Sequence, residues 1–327
     1  MDNKKSNRKD NKKSGKKHSE QDWLDFRPAT RAVRAGQHRS NFGEHSESIV
    51  ATSSFVFESA AQAAARFSGD EDGYIYARFS NPTVDSFAER LAALEEGEAC
   101  IATSSGMAAY VLLCLGVLDA GDHIALSRNM FGTTLILFKN IFSRFGIEYT
   151  LVDLVDNDAW QAALQPNTRL VLFETPANPL TEVGDIRAIS AIAKSFSEEI
   201  LVAVDNCFCS PALQTPLNLG ADIVLHSATK YLDGQGRAIG GAVVGPQSLI
   251  DDKLLPIMRA AGLSMSPFNA WIFLKGLETL QLRMDETSRN AQVVAEYLAS
   301  LGAVGGVDKV VYPGLRTHPQ FKLAASQ

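Results

Sequence analysis

No apolar run in this chain of 327 residues is long enough to cross a bilayer. Stretches such as Tyr110 to Leu118 stop well short of the roughly 20 residues a membrane helix needs, and no charged-then-apolar-then-small signal segment opens the sequence. A cytoplasmic location with no membrane partner is expected. Cysteine is scarce: Cys100, Cys114, Cys207 and Cys209 stand in apolar or strand-like stretches, and a chain this large needs no disulfide staples, so reduced thiols are expected. Cys207-Phe-Cys209 resembles half a metal site, but no second Cys or His pair at ligand spacing follows it, so no metal is expected. The dinucleotide fingerprint G-x-G-x-x-G is missing, because Gly234-Gln-Gly-Arg-Ala-Ile-Gly240 has other spacing and does not open a helix after a strand. A P-loop is missing too. The net charge of −6 argues against nucleic acid as a main partner, although the first 17 residues are rich in Lys and Arg. With no apolar periodicity, residues 1–25 read as a basic disordered tail; an electrostatic contact with RNA or membrane is the alternative.

What is present is core-forming: 46% hydrophobic and 21% charged residues suit one large domain plus part of another. From Ala99 onward, short β-branched apolar runs alternate with helical patterns, as in a parallel sheet covered on both faces. Strands are expected at Ala99 to Thr103, His123 to Ser127, Tyr149 to Asp153, Leu170 to Glu174, Leu201 to Asp205, Ile223 to His226 and Ala242 to Val244. Helices are expected at Val84 to Leu94, Ser105 to Leu118, Thr133 to Phe145, Asp158 to Leu164 and Asp185 to Phe196, with a helix or helix pair over Asn269 to Ser300. The organisation expected is an N-terminal arm over 26–65, an α/β domain over 66–265, and a linking helix with the start of a further domain over 266–327.

Three segments carry chemistry. Ile223 to His226 runs into Ser227-Ala-Thr-Lys230, which puts a lysine and two hydroxyls at the end of a strand, where α/β folds bind ligands. Read alone, Lys230 is more readily a surface lysine, since lysines after strands are common. Asp205 closes the apolar strand Leu201 to Asp205, and a buried carboxylate needs a cation, a helix to cap or a metal to bind. The protonated ring nitrogen of pyridoxal phosphate is one such cation. Finally, Ala102-Thr-Ser-Ser-Gly106-Met107 is a strand-to-helix turn whose free N–H groups suit a phosphate, with Gly106 allowing close approach.

In that order the three segments resemble the fold-type I pyridoxal-phosphate enzymes of the cystathionine γ-synthase (Cys/Met metabolism) family, particularly the O-succinylhomoserine sulfhydrylase branch. The likeness runs from about Thr30 to the end and includes Tyr76-Ala-Arg78-Phe-Ser-Asn-Pro-Thr, Ser104-Ser-Gly-Met, Phe131-Gly-Thr-Thr, Glu174-Thr-Pro-Ala-Asn178-Pro, Val204-Asp-Asn-Cys-Phe, His226-Ser-Ala-Thr-Lys and Ser266-Pro-Phe-Asn-Ala-Trp. It implies an aspartate aminotransferase-like α/β fold: a mostly parallel mixed sheet flanked by helices, plus an incomplete C-terminal α/β domain. It implies that Lys230 bonds covalently to pyridoxal 5'-phosphate and that Asp205 pairs with the ring nitrogen. Asn178 then holds the ring hydroxyl and Phe131 stacks on the ring. Ser105, Gly106, Met107, Ser227 and Thr229 hold the phosphate, with Tyr76 and Arg78 reaching it from a neighbouring copy in a homodimer or homotetramer. Phe131 stands where many relatives carry tyrosine, so a proton-transfer role for that hydroxyl does not carry over.

The reaction so implied is a γ-replacement in methionine biosynthesis, O-succinylhomoserine plus sulfide giving homocysteine plus succinate, with Lys230 as the base. Cystathionine γ-synthase or γ-lyase is the rival activity. Relatives continue past the position of Gln327, and the arginine that grips the substrate carboxylate in them lies in that part. No residue here is given that role, and a non-catalytic cofactor-binding fragment is the further alternative.

Overall fold

The computed structural model describes residues 21–327, so most of the expected basic tail lies outside the described residues. In chain order come α1 (Gln21–Leu24), α2 (Pro28–Arg34), α3 (Ala60–Ser68), α4 (Pro82–Glu95), β1 (Ala99–Thr103), α5 (Gly106–Val117), β2 (His123–Ser127), α6 (Gly132–Asn140) and β3 (Glu148–Val152). Then follow α7 (Asn157–Ala163), β4 (Thr168–Glu174), α8 (Ile186–Phe196), β5 (Leu201–Asp205), α9 (Ser210–Leu213), β6 (Ile223–Ser227) and β7 (Gly241–Gly245). The described chain closes with α10 (Leu255–Ala261), α11 (Pro267–Leu277), α12 (Leu280–Leu301) and α13 (Phe321–Ala324).

Every expected strand is present. The helix expected to reach Phe145 ends at Asn140, because Ile141 leaves helical geometry at φ −116°, and a 3-10 turn (Phe142–Phe145) follows. The stretch after Pro267 is a helix pair broken at Thr279 (φ −116°, ψ 10°). Arg283 ties that break to the site strand's loop, donating at 2.7 Å to the Gly276 carbonyl and at 2.8 Å to that of Tyr231.

The seven-stranded sheet has the order β1-β7-β6-β5-β4-β2-β3. β7 runs antiparallel to β1 and β6, and the remaining pairs are parallel. Alternation along the strands sorts the core into two faces. Ile101, Ile124, Leu126, Leu172, Ala203 and Leu225 pack with Leu112 and Leu113 of α5 and Phe138 of α6. On the other face Val224 and Val244 meet Phe87 and Leu91 of α4 and Phe273 of α11, while Phe173 and Val202 meet Trp160 of α7 and Ile189 of α8. β1, β4, β5 and β6 point the same way, so Thr103, Glu174, Asp205 and Ser227 end on one edge. Among the described residues, no helix is long and apolar enough to cross a membrane.

The segment that includes Ala35 and Glu47 is fastened to α4 and α11 by buried charge. Arg90 of α4 is wholly buried, donates to the Ala35 carbonyl at 2.8 Å and is ion-paired to Glu47. Lys275 of α11 binds the other Glu47 oxygen at 2.6 Å, and the Trp271 indole donates to the Glu47 carbonyl at 3.1 Å. Burial alone raises the Glu47 carboxyl, but the bonds from Lys275 and Arg90 outweigh it and hold the group at about 2, against 4.5 ordinarily. That stabilisation is complete above the unfolded value and is lost as pH falls from about 4.5 towards 2. Glu47→Ala takes the nearer carboxylate from the buried Arg90, leaving Glu278 at 3.8 Å as its acidic neighbour, and is expected to cost about 3 kcal/mol in denaturant unfolding at neutral pH, with a shallower loss of stability on acidification than in the parent chain.

Candidate active site

The site begins where β1, β7 and β6 end. Gly241 of β7 lies between Thr103 and Ser227, in register with both. This places the Ser104–Gly106 turn beside the Ser227–Lys230 turn. The two backbones meet so closely that a Cβ on Gly241 would collide with the Ser105 carbonyl, and one on Gly106 would lie 2.8 Å from Ser227 Cβ. Ser105 caps α5, its Oγ accepting from Ala108 N at 3.1 Å. Gly106 and Met107 are then the first two helical residues, whose N–H groups an α-helix does not pair. They open towards Ser227, with the positive end of the helix dipole behind them. The Thr229 hydroxyl pins its turn to β7 through Gly240, at 3.4–3.5 Å.

Next along the same edge, Asp205 and Glu174 are partners in the β4–β5 register, and both extend the face that packs on α5 and α6. Both are buried, at 7% and 3% exposure, and among the described residues no lysine or arginine forms an ion pair with either. Asp205 Oδ2 accepts from the Tyr110 hydroxyl at 2.5 Å, and Oδ1 accepts from Cys207 N at 2.9 Å. Burial nonetheless raises its carboxyl above the usual range. Burial, then the charge of Asp205, pushes Glu174 up to about 8. Glu174 Oε2 accepts from Phe131 N at 3.1 Å and so anchors the start of α6.

On the opposite face, Asn206 donates to Glu95 and to the Gln214 carbonyl, both at 2.8 Å, and His226 meets Glu95 at 2.6 Å. This buried network secures the residue next to Asp205. Tyr110, Glu174, His226 and Glu95 were not among the residues expected from the sequence. Glu174 carried a readable signal, an acidic residue closing an apolar strand as Asp205 does. Tyr110 is the lone aromatic of α5, one helical turn after Gly106.

Lys230 is exposed on the turn after β6 and makes no ion pair or side-chain hydrogen bond among the described residues. Burial and then Asp205 raise the Cys207 thiol, and Lys230 acts on it in the opposite direction, so lysine and carboxylate flank one residue. All four cysteines are free thiols. Asn178 is exposed in the turn after β4, and the Phe131 ring is 51% exposed at the mouth of the same edge. Tyr76 and Arg78 stand apart. The Arg78 guanidinium lies 4.8 Å from the Phe79 ring centroid and donates to the carbonyl of Arg259 in α10, and none of the described contacts joins it to Gly106, Ser227 or Lys230.

The chemistry of these donors fits pyridoxal phosphate. A glycine-lined cradle of unpaired N–H groups and hydroxyls suits its phosphate, an unpaired lysine suits its aldehyde, and two buried carboxylates lacking a cation suit a protonated ring nitrogen.

Comparison with known proteins agrees. The chain is 51% identical over 298 residues to O-succinylhomoserine sulfhydrylase of Pseudomonas aeruginosa, covering 91% of this chain and 72% of that protein. It is 45% identical over 300 residues to L-methionine gamma-lyase of Porphyromonas gingivalis, covering 91% and 74%. The crystal structure of cystathionine gamma synthase from Xanthomonas oryzae pv. oryzae, in complex with aminoacrylate and cysteine, superposes with a TM-score of 0.84 at 38% identity, over 92% of this chain and 75% of that one. Residues 29–327 match the family described as Cys/Met metabolism PLP-dependent enzyme, and with the fold and site in agreement the chain belongs to that family.

Proposed function

We propose that the chain catalyses γ-replacement on an acylated homoserine: O-succinylhomoserine and sulfide give homocysteine and succinate as the Cγ–O bond breaks and a Cγ–S bond forms. The observation that carries this reading is 51% identity to an O-succinylhomoserine sulfhydrylase over 91% of the chain. Bound pyridoxal phosphate supplies an electron sink for negative charge on a substrate carbon joined to it through the amine. The chain's residues supply the rest. Lys230 Nζ would hold the aldehyde and, when free of it, would carry protons at the substrate's Cα and Cβ. Asp205 pairs with the ring nitrogen, Asn178 holds the ring hydroxyl and Phe131 covers one ring face. The N–H groups of Gly106 and Met107, with Ser227 and Thr229, bind the phosphate, and the Ser105 hydroxyl keeps the helix start in place for them. Tyr76 and Arg78 complete the phosphate site of a second copy of the chain, which makes self-association part of the proposal.

The test is product analysis with O-succinylhomoserine, supplied first with sulfide and then with cysteine. Homocysteine from sulfide, outpacing cystathionine from cysteine, is the expected result. Preferential cystathionine formation would favour a γ-synthase instead, and bound cofactor without turnover would mark a non-catalytic binder. Lys230→Ala is expected to lower turnover by about 10³-fold or more. Borohydride reduction followed by peptide mapping should trap the cofactor on the Lys230 peptide of the parent chain and on no peptide of the variant.

The paired carboxylates also fix a pH response. In the cofactor-free chain, folded Glu174 keeps its proton up to about pH 8, whereas the unfolded chain releases it near 4.5. The folded state therefore binds more protons across that window, and stability falls as pH rises through it. The unfolding temperature of the cofactor-free protein should drop between about pH 5 and pH 8, and Glu174→Gln should make the drop shallower. Equal slopes for the two proteins would assign it to other groups.

A further inference from the structure

We infer that Tyr110 is a positioning residue for the cofactor's ring nitrogen, acting through Asp205, whose carboxylate it orients and holds from behind. The inference rests on the proposed pairing of Asp205 with that nitrogen and adds a residue to it. The geometry is specific. The Tyr110 hydroxyl meets Asp205 Oδ2 at 2.5 Å, and the residue is 4% exposed, within the core that includes Leu172 and Leu225. A phenol at that depth needs a hydrogen-bond partner, and Asp205 is the one it has. Burial first and then the charge of Asp205 hold the phenol well above its ordinary pKa, so it stays protonated and is the donor of the pair.

Its place on the helix gives the contact a function beyond satisfying a polar group. Tyr110 lies on the same face of α5 as Gly106, four residues and about 6 Å farther along the axis. One helical turn therefore presents free N–H groups to the phosphate cradle at its start and a hydroxyl to the Asp205 carboxylate at its end. The two anchor points proposed for the cofactor are set at a fixed separation by a single rigid element. Cys207 N restrains the other oxygen, Oδ1. A carboxylate has about four lone-pair sites, so with two donors supplied by the chain it keeps capacity for a third. Without Tyr110 the carboxylate is free to turn about its χ2, and a donor to the anion is lost.

The test measures the dissociation constant of pyridoxal phosphate from the loaded full chain, by dilution and loss of the visible band, in a double-mutant cycle. Tyr110→Phe keeps the buried ring and removes the hydroxyl. It is expected to weaken cofactor binding about tenfold to a hundredfold, the range for a hydrogen bond to a charged group. In an Asp205→Ala background, or in Asp205→Leu, which keeps the branching at Cγ without the charge, the same substitution is expected to change binding less than twofold. An equal loss in both backgrounds would make Tyr110 a packing residue and overturn the inference, as would no loss in the parent chain. If Asp205→Ala itself left cofactor binding unchanged, the pairing of Asp205 with the ring would fall, and the role of Tyr110 with it.

Discussion

A carboxylate buried at the end of a parallel strand is the constraint around which this molecule's site is organised. Asp205 lies among apolar neighbours, and isolated ionised groups are strongly disfavoured there. Two donors from the chain, the Tyr110 hydroxyl and Cys207 N, support the anion, yet its proton affinity remains raised. Glu174 on the next strand brings a second buried acid that, beside Asp205, holds its own proton up to about pH 8, and it supplies no cation to relieve the first. Such an arrangement is unfavourable for folding in isolation and suited to a cationic ring, because the same burial that penalises the free carboxylates strengthens their attraction for a positive charge.

The rest of the edge follows from sheet topology. β7 reverses direction between β1 and β6, and Gly241 lets the turns that follow those two strands touch across it. A side chain there would push the Ser105 carbonyl away and open the cradle. Small residues at Gly106 and Gly241 are therefore one feature: they let two backbone turns come together, one with free N–H groups and one with the hydroxyls of Ser227 and Thr229, a chemistry that suits an anion. The arm is held to the same body by a different device, the Arg90–Glu47–Lys275 cluster, which joins segments far apart in sequence.

Much of the fold was legible because its signals are local. Strands of five to seven residues built on short apolar runs bounded by small or polar residues define β1, β4 and β5, and the helix after Ser105 declares itself by its cap. The boundary of α6 was less legible, since nothing in Leu137-Phe-Lys-Asn-Ile-Phe forbids a continuous helix, yet the chain departs from it at Ile141 while Phe138 and Phe142 both pack in the core. Lys230 and Asp205 were singled out from strand ends, and the structure places both at the carboxyl ends of β6 and β5. Arg78, expected by resemblance to reach the phosphate of a neighbouring copy, turns within this chain to Phe79 and Arg259.

By itself, then, the order of residues determined which strands form, that an acid closes β5 and a lysine follows β6, and that a glycine opens the helix after β1. These are properties of short segments, set by alternation, capping and turn chemistry. Only the tertiary structure decided that Tyr110 reaches Asp205, 95 positions away, that Glu174 stands beside that carboxylate, and that Glu95 of α4 meets His226 of β6. The reason is physical: a strand's register and a helix's rotation against it are fixed by packing two apolar faces together. No local pattern states which buried polar groups that packing will bring into contact.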